Sequence, residues 1–156
     1  MSSLATLAVD PGNTTGIAII SESGELLHSR QMPHEEFALF LADPPEELRL
    51  SFRHIRLAVV EDFQLLPQKG IAVSQKKSRN MAAARGIGIM DMWATMRGIE
   101  LVYRDPSHWR IGLQLAGIEQ SKWPKSHKDG HSTCAYGAGF HALVELGLVQ
   151  SRLGQI

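Results

Sequence analysis

LAVDPGNTTGIAII, residues 7–20, holds the pattern that sets the fold. An apolar run over 4–10 closes on the acid Asp10, the pattern of a buried strand. Pro11, Gly12 and Asn13 then supply turn chemistry, and residues 16–20 resume as a second strand. Ser23-Gly24 is another turn signal, so residues 25–31 pair as a third strand. The opening is therefore an antiparallel three-stranded meander.

Further along, residues 33–41 place Phe37, Phe40 and Leu41 at helical spacing, and Pro44-Pro45 stops that helix. Residues 55–60 form the next buried strand, followed at once by Glu61 and Asp62. After a loop with Pro67 and Gly70, residues 73–96 read as a long helix. Its Ala- and Met-rich part is expected to be buried on one side, and Gly86 and Gly88 to permit close packing on the sheet. Residues 101–103 are a short strand, and Ser107 is expected to cap a helix reaching about Leu115. Residues 117–128 form a polar loop, and a last helix covers 130–148. The order β-β-β-α-β-α-β-α-loop-α predicts an α/β fold: a mixed five-stranded sheet, its first three strands antiparallel, with helices on both faces.

The 156 residues suit one domain, 1–156, able to bury its own core. Apolar runs are too short to cross a bilayer, and no secretory leader is legible, so a cytoplasmic protein is expected. A single cysteine, Cys134, excludes an internal disulfide framework. Net charge is zero but segregated. Residues 63–90 hold no acid, while Lys69, Lys76, Lys77, Arg79 and Arg85 are basic. Residues 104–128 set Arg104, Arg110, Lys122, Lys125 and Lys128 against only Asp105 and Glu119. A locally basic face binds polyanions whatever the net charge. The plainer alternative is solvated helix surface.

Three features place metal-ligand chemistry at strand ends or a helix start. Asp10 ends the first strand, Glu61 follows the central one, and His131 and Cys134 stand three residues apart on nearly one face of the last helix. Carboxylates on adjacent strand ends suit Mg²⁺ or Mn²⁺, and two such ions can drive phosphodiester hydrolysis. Singly, each has a plainer reading. Asp10 before Pro-Gly is a turn former, His131 a packed helix-start residue, and Cys134 a small buried apolar group. Glu61 is harder to set aside, because an acid at a buried strand end needs a partner.

Taken in order, the segments resemble the RuvC-like Holliday-junction resolvases, over nearly the whole chain. LAVDPGNTTGIAII is similar to that family's opening strand with its ligand Asp, here Asp10. LAVVEDF (57–63) is similar to the strand ending in a ligand Glu, here Glu61. SQKKSRNMAAARGIGIMDMWA (74–94) resembles the DNA-facing helix, and VYRDPSHWRIGL (102–113) the strand-Pro-helix that follows. KDGHSTCAYGAGFHAL (128–143) resembles the final helix, which carries two ligands three residues apart. The resemblance implies an RNase H-like fold and a structure-specific endonuclease resolving four-way junctions, bacterial or phage-encoded. It implies two Mg²⁺ ions per site, with Mn²⁺ able to substitute, held by Asp10, Glu61, His131 and the position of Cys134. A homodimer would then cut two like strands. Lys76, Lys77, Arg79, Arg85, Lys122 and Lys125 would contact DNA, and the 65–75 loop would probe the junction centre.

One departure stands out. The family's second ligand on the final helix is a carboxylate, and Cys134 occupies that position. A thiol is a poor Mg²⁺ ligand, so the chain as written is expected to be inactive with Mg²⁺. Asp129 is a substitute off the required spacing. Rival readings are an RNase H-like nuclease acting on RNA and a module that binds branched DNA without cutting it. An actin-like phosphate loop also begins from DPGNTTG, but it needs two domains where this chain has one.

Overall fold

The computed structural model describes residues 4–62, 73–124 and 130–153, with 73–80 as helix backbone only. Strands β1 (Ala5–Asp10), β2 (Thr14–Ser21) and β3 (Leu26–Pro33) form the antiparallel meander. Helix α1 (His34–Ala42) and a short α2 (Arg49–His54) lead into β4 (Ile55–Glu61), which pairs parallel to β1. The long α3 (Val73–Arg97) returns the chain to β5 (Glu100–Arg104), parallel to β4. Helices α4 (His108–Leu115) and α5 (His131–Glu145) complete the chain. The sheet order is β3-β2-β1-β4-β5, so the two strands that end in acids lie side by side in its middle.

Every residue of β1 is buried, which is why its apolar run is nearly unbroken: helices cover the sheet on both sides. Strand alternation then assigns each residue to a face. Leu7, Val9, Ile17, Ile19, Ala58 and Val60 pack under α1, α2 and α3, against Phe37, Phe52, Met90 and Trp93. Ala8, Ala18, Ile20, Leu57 and Val59 pack under α4 and α5, against Trp109, Leu113, Ala138 and Phe140. Helices α4 and α5 approach very closely. A Cβ on Gly112 would stand 1.6 Å from the carbonyl oxygen of Gly137, so only glycine allows this contact.

Several local expectations are corrected. Helix α2 lies in a charge-rich stretch to which the sequence pattern assigns no element. It forms because Leu48 and Phe52, four apart, bury together under the first face. Ser107 does not cap α4 through its side chain. Asp105 Oδ1 instead accepts from the Ser107 N–H at 2.8 Å and from its hydroxyl at 2.6 Å, an Asx turn preceding the helix. The Ala- and Met-rich part of α3 is buried on one side as expected, through Ala82, Ala83 and Met90, while Met81 and Met92 face solvent. Gly86 does pack closely, but Gly88 has nothing near it among the described residues. Helix α5 stops at Glu145 rather than 148. Gly147 adopts φ +72°, and the Leu148 N–H returns to the Leu143 carbonyl in a Schellman ending.

Candidate active site

Register brings the acids together. Val9 and Val60 are paired across the parallel β1–β4 ladder, and Asp10 and Glu61 are the next residue of each strand. Alternation turns both side chains to the face covered by α5, since Ala8 and Val59, two residues earlier, pack there. Asp10 is 1% exposed and Glu61 0%. The carboxyl ends of parallel strands are where α/β sheets place their chemistry.

The N-terminal turn of α5 lies directly over this pair. It can do so because residue 16 is glycine: a Cβ there would stand 2.1 Å from the His131 carbonyl carbon. His131 Nδ1 donates to Asp10 Oδ2 at 2.8 Å, holding the ring against the carboxylate. A histidine oriented by a carboxylate in this way is a familiar support for a metal site. One turn further, Cys134 is fully buried and its N–H bonds the Gly130 carbonyl. Burial pushes its thiol well above the ordinary range, and the charges of Asp10 and Glu61 push it further, against the opposing pull of Arg110.

Glu61 is the uncompensated member. Both its carboxyl oxygens are buried with no N–H or hydroxyl group donating to them among the described residues, and the carboxyl instead meets that of Asp10. Burial raises its pKa well above the ordinary carboxyl value, with the adjacent Asp10 carboxyl next in effect and Asp105 after it. Two neighbouring buried carboxyls, one lacking any donor, form an electrostatic arrangement that a cation would relieve. The carboxylates fit a divalent ion, and Cys134 does not fit a hard one. Among the described residues, no three His, Cys, Asp or Glu side chains are placed so that together they could hold a metal ion.

The predicted DNA contacts are only partly described. Arg85 is exposed on α3, next to Gly86, whose position for a Cβ lies 2.7 Å from Pro11 Cβ. Helix α3 is thus anchored on the turn that follows Asp10. Lys122 is exposed and lines a surface groove with Ser132 and Thr133 of α5 and with Arg152. The side chains of Lys76, Lys77 and Arg79 lie outside the described residues, as do Lys125, Asp129 and residues 65–72 of the expected probing loop, of which 73–75 are described as helix backbone only. Sequence reasoning missed Gly16 and Asp105 as site neighbours, and Arg110 as the cation acting on Cys134. Gly16 directly after Thr14-Thr15 in a strand is a readable sign of close backbone approach.

No family model matches the chain, and no curated protein matches it in sequence. Solved structures do. T. thermophilus RuvC in complex with a Holliday junction substrate matches with a TM-score of 0.59 at 15% identity, over 95% of this chain and 99% of that one. A second Thermus thermophilus RuvC structure matches with a TM-score of 0.58 at 16% identity and the same coverage. The shared architecture is the RuvC-like, RNase H-like fold: a mixed five-stranded sheet, its first three strands antiparallel, with helices on both faces.

Proposed function

We propose that this chain is a divalent-cation-dependent endonuclease acting on four-way DNA junctions. The observation that carries the reading is the buried Asp10–Glu61 pair on adjacent strand ends, with Glu61 lacking a donor among the described residues, under the helix that brings His131 and Cys134. A stability-driven fold has no reason to keep two carboxyls there. The RuvC likeness adds a substrate class, since one matching structure holds a Holliday junction.

In this reading Asp10 and Glu61 hold Mg²⁺ or Mn²⁺, two ions per site, and His131 supports them. Bound there, such ions activate water and stabilise the leaving oxygen of a phosphodiester. The chain's own contribution is placement. Asp10 is fixed by His131, and Gly16 sets the height of α5 over the acids. Lys76, Lys77, Arg79, Arg85, Lys122 and Lys125 contact phosphates, which positions DNA without reading sequence. A homodimer presents two such sites to the two like strands. Cys134 weakens the site for Mg²⁺, so the chain as written cleaves poorly with that ion.

Cys134 also favours a second reading, a protein that binds branched DNA without cutting it. Gel-shift and cleavage assays on a four-way junction, a linear duplex and an RNA stem, with and without Mn²⁺, separate these readings. Junction-selective binding with Mn²⁺-dependent nicking supports the nuclease, and selective binding alone supports the module. Equal handling of duplex and junction, or preference for the RNA stem, overturns both.

A further inference from the structure

We propose that the groove between β3 and α5 holds one unpaired nucleotide of the DNA strand under cleavage, and selects a base that carries an exocyclic amino group. The inference rests on the nuclease reading for the identity of the strand, while its chemistry comes from the groove itself. The groove has a volume of about 450 Å³, within the range of small-ligand sites (roughly 300–1,000 Å³). It begins at Ser132 and Thr133, which directly follow the His131 bonded to Asp10, and runs to Glu25 just before β3. A strand whose phosphodiester reaches the acids therefore brings a neighbouring nucleotide to the mouth of this groove.

Each part of a nucleotide has a counterpart there. Leu26 and Ile118 give the groove apolar surface, and Leu26 is 46% exposed, so a base laid on it covers carbon that now meets water. Lys122 and Arg152 are the cations of the lining, and neither forms an ion pair among the described residues. Arg152 lies over the Phe140 ring, 5.4 Å from its centroid, and donates to the Ser23 carbonyl at 3.4 Å, which fixes the guanidinium in place. Two such cations on one groove suit a phosphate. Glu25 is the acid of the lining, also outside any ion pair among the described residues. A site for phosphate alone would be weakened by that charge. A carboxylate only accepts hydrogen bonds, so Glu25 selects a base that donates. Cytosine, adenine and guanine offer an amino group, whereas thymine offers only an N–H between two carbonyl oxygens that a carboxylate repels.

Fluorescence anisotropy of short labelled oligo-dC and oligo-dT, titrated with the intact chain in EDTA, tests this directly. Oligo-dC should bind at least about fivefold more tightly, the lower end of what one base contact discriminates. In Glu25→Gln the amide both donates and accepts, so the preference should collapse toward parity, with oligo-dT bound more tightly than by the intact chain. Lys122→Gln and Arg152→Gln should weaken both oligonucleotides alike, each lowering the slope of log affinity against log salt by about 0.7. Equal or undetectable binding of the two by the intact chain overturns the proposal, as does a preference that Glu25→Gln leaves unchanged. Glu25 is exposed, so that variant keeps the fold and the outcome is decisive even where Arg152→Gln fails to fold. A gel shift on a four-way junction in EDTA reads the nuclease proposal separately. Junction binding with equal oligonucleotide affinities removes the nucleotide groove alone, and the base preference without junction binding removes the resolvase reading alone.

Discussion

The two faces of the sheet are built to different rules. Under α1, α2 and α3 the buried residues run from Leu7 and Val9 through Phe37 to Trp93, with the uncharged Thr15 as the buried polar side chain of that face by strand alternation. Under α4 and α5 the strands carry no charged buried residue until their last positions, where Asp10 and Glu61 enter beneath His131 and Cys134. The first face contributes stability. The second gives up some of it to keep two carboxyls and a thiol out of water. Buried groups that weaken a fold while sharing one field mark a working site.

Emptying the first face should show this contrast most plainly. Phe37 is 1% exposed, and Phe37→Ala should cost about 3–5 kcal/mol in urea unfolding while leaving the acids in place. An equally large loss of junction binding per folded molecule would show that the faces are not separable. Next in size is Gly16→Ala. The added methyl must displace the backbone of α5 at His131, at a cost of about 1–3 kcal/mol. Here nicking should fall far more than stability does, which thermal melting and cleavage on one preparation will compare.

Glu61→Gln acts in the opposite direction. Its carboxyl pKa is raised in the folded chain, so the folded state holds its proton more tightly than the unfolded state. The native preference is complete below the ordinary value of 4.5 and is lost as pH rises through the folded value. At neutral pH the glutamine variant, measured in EDTA, should therefore be more stable by roughly 0.5–2 kcal/mol while losing nicking. A destabilised variant would mean that Glu61 has a structural partner.

The smallest effect concerns His141, stacked on His108 with centroids 4.3 Å apart. Burial lowers its pKa, His108 and Arg104 lower it further, and Glu145 opposes them. The unfolded chain takes up this proton first, so stability declines as pH falls below 6.5 and levels off beneath the folded value. His141→Gln should flatten melting temperature against pH in that window, and an unchanged slope would assign the effect elsewhere.

Much of this arrangement is readable from residue order. Two apolar strands ending in acids predict both the central pair of strands and the candidate ligands, because burial on both faces leaves only their ends for polar groups. The spacing of His131 and Cys134 places them on one side of the last helix. What escapes the sequence depends on distant approach. Gly16 matters only because residue 131 arrives above it, and Gly112 only because Gly137 does. That α3 is buried on one side is legible, but which of its methionines meets the sheet is not, and it is Met90 rather than Met81 or Met92. Helix α2 is hidden because two buried residues, Leu48 and Phe52, fix it among many charges.

Whether the buried carboxyl pair is the cleavage centre, and whether Cys134 limits it, can be read from one assay. It is Mn²⁺-dependent nicking of a four-way junction by Cys134→Asp, alone and combined with Glu61→Gln. Cys134→Asp should nick faster than the chain as written, and adding Glu61→Gln should abolish the gain while junction binding persists. Nicking by Cys134→Asp that survives Glu61→Gln undiminished would place the cleavage centre elsewhere.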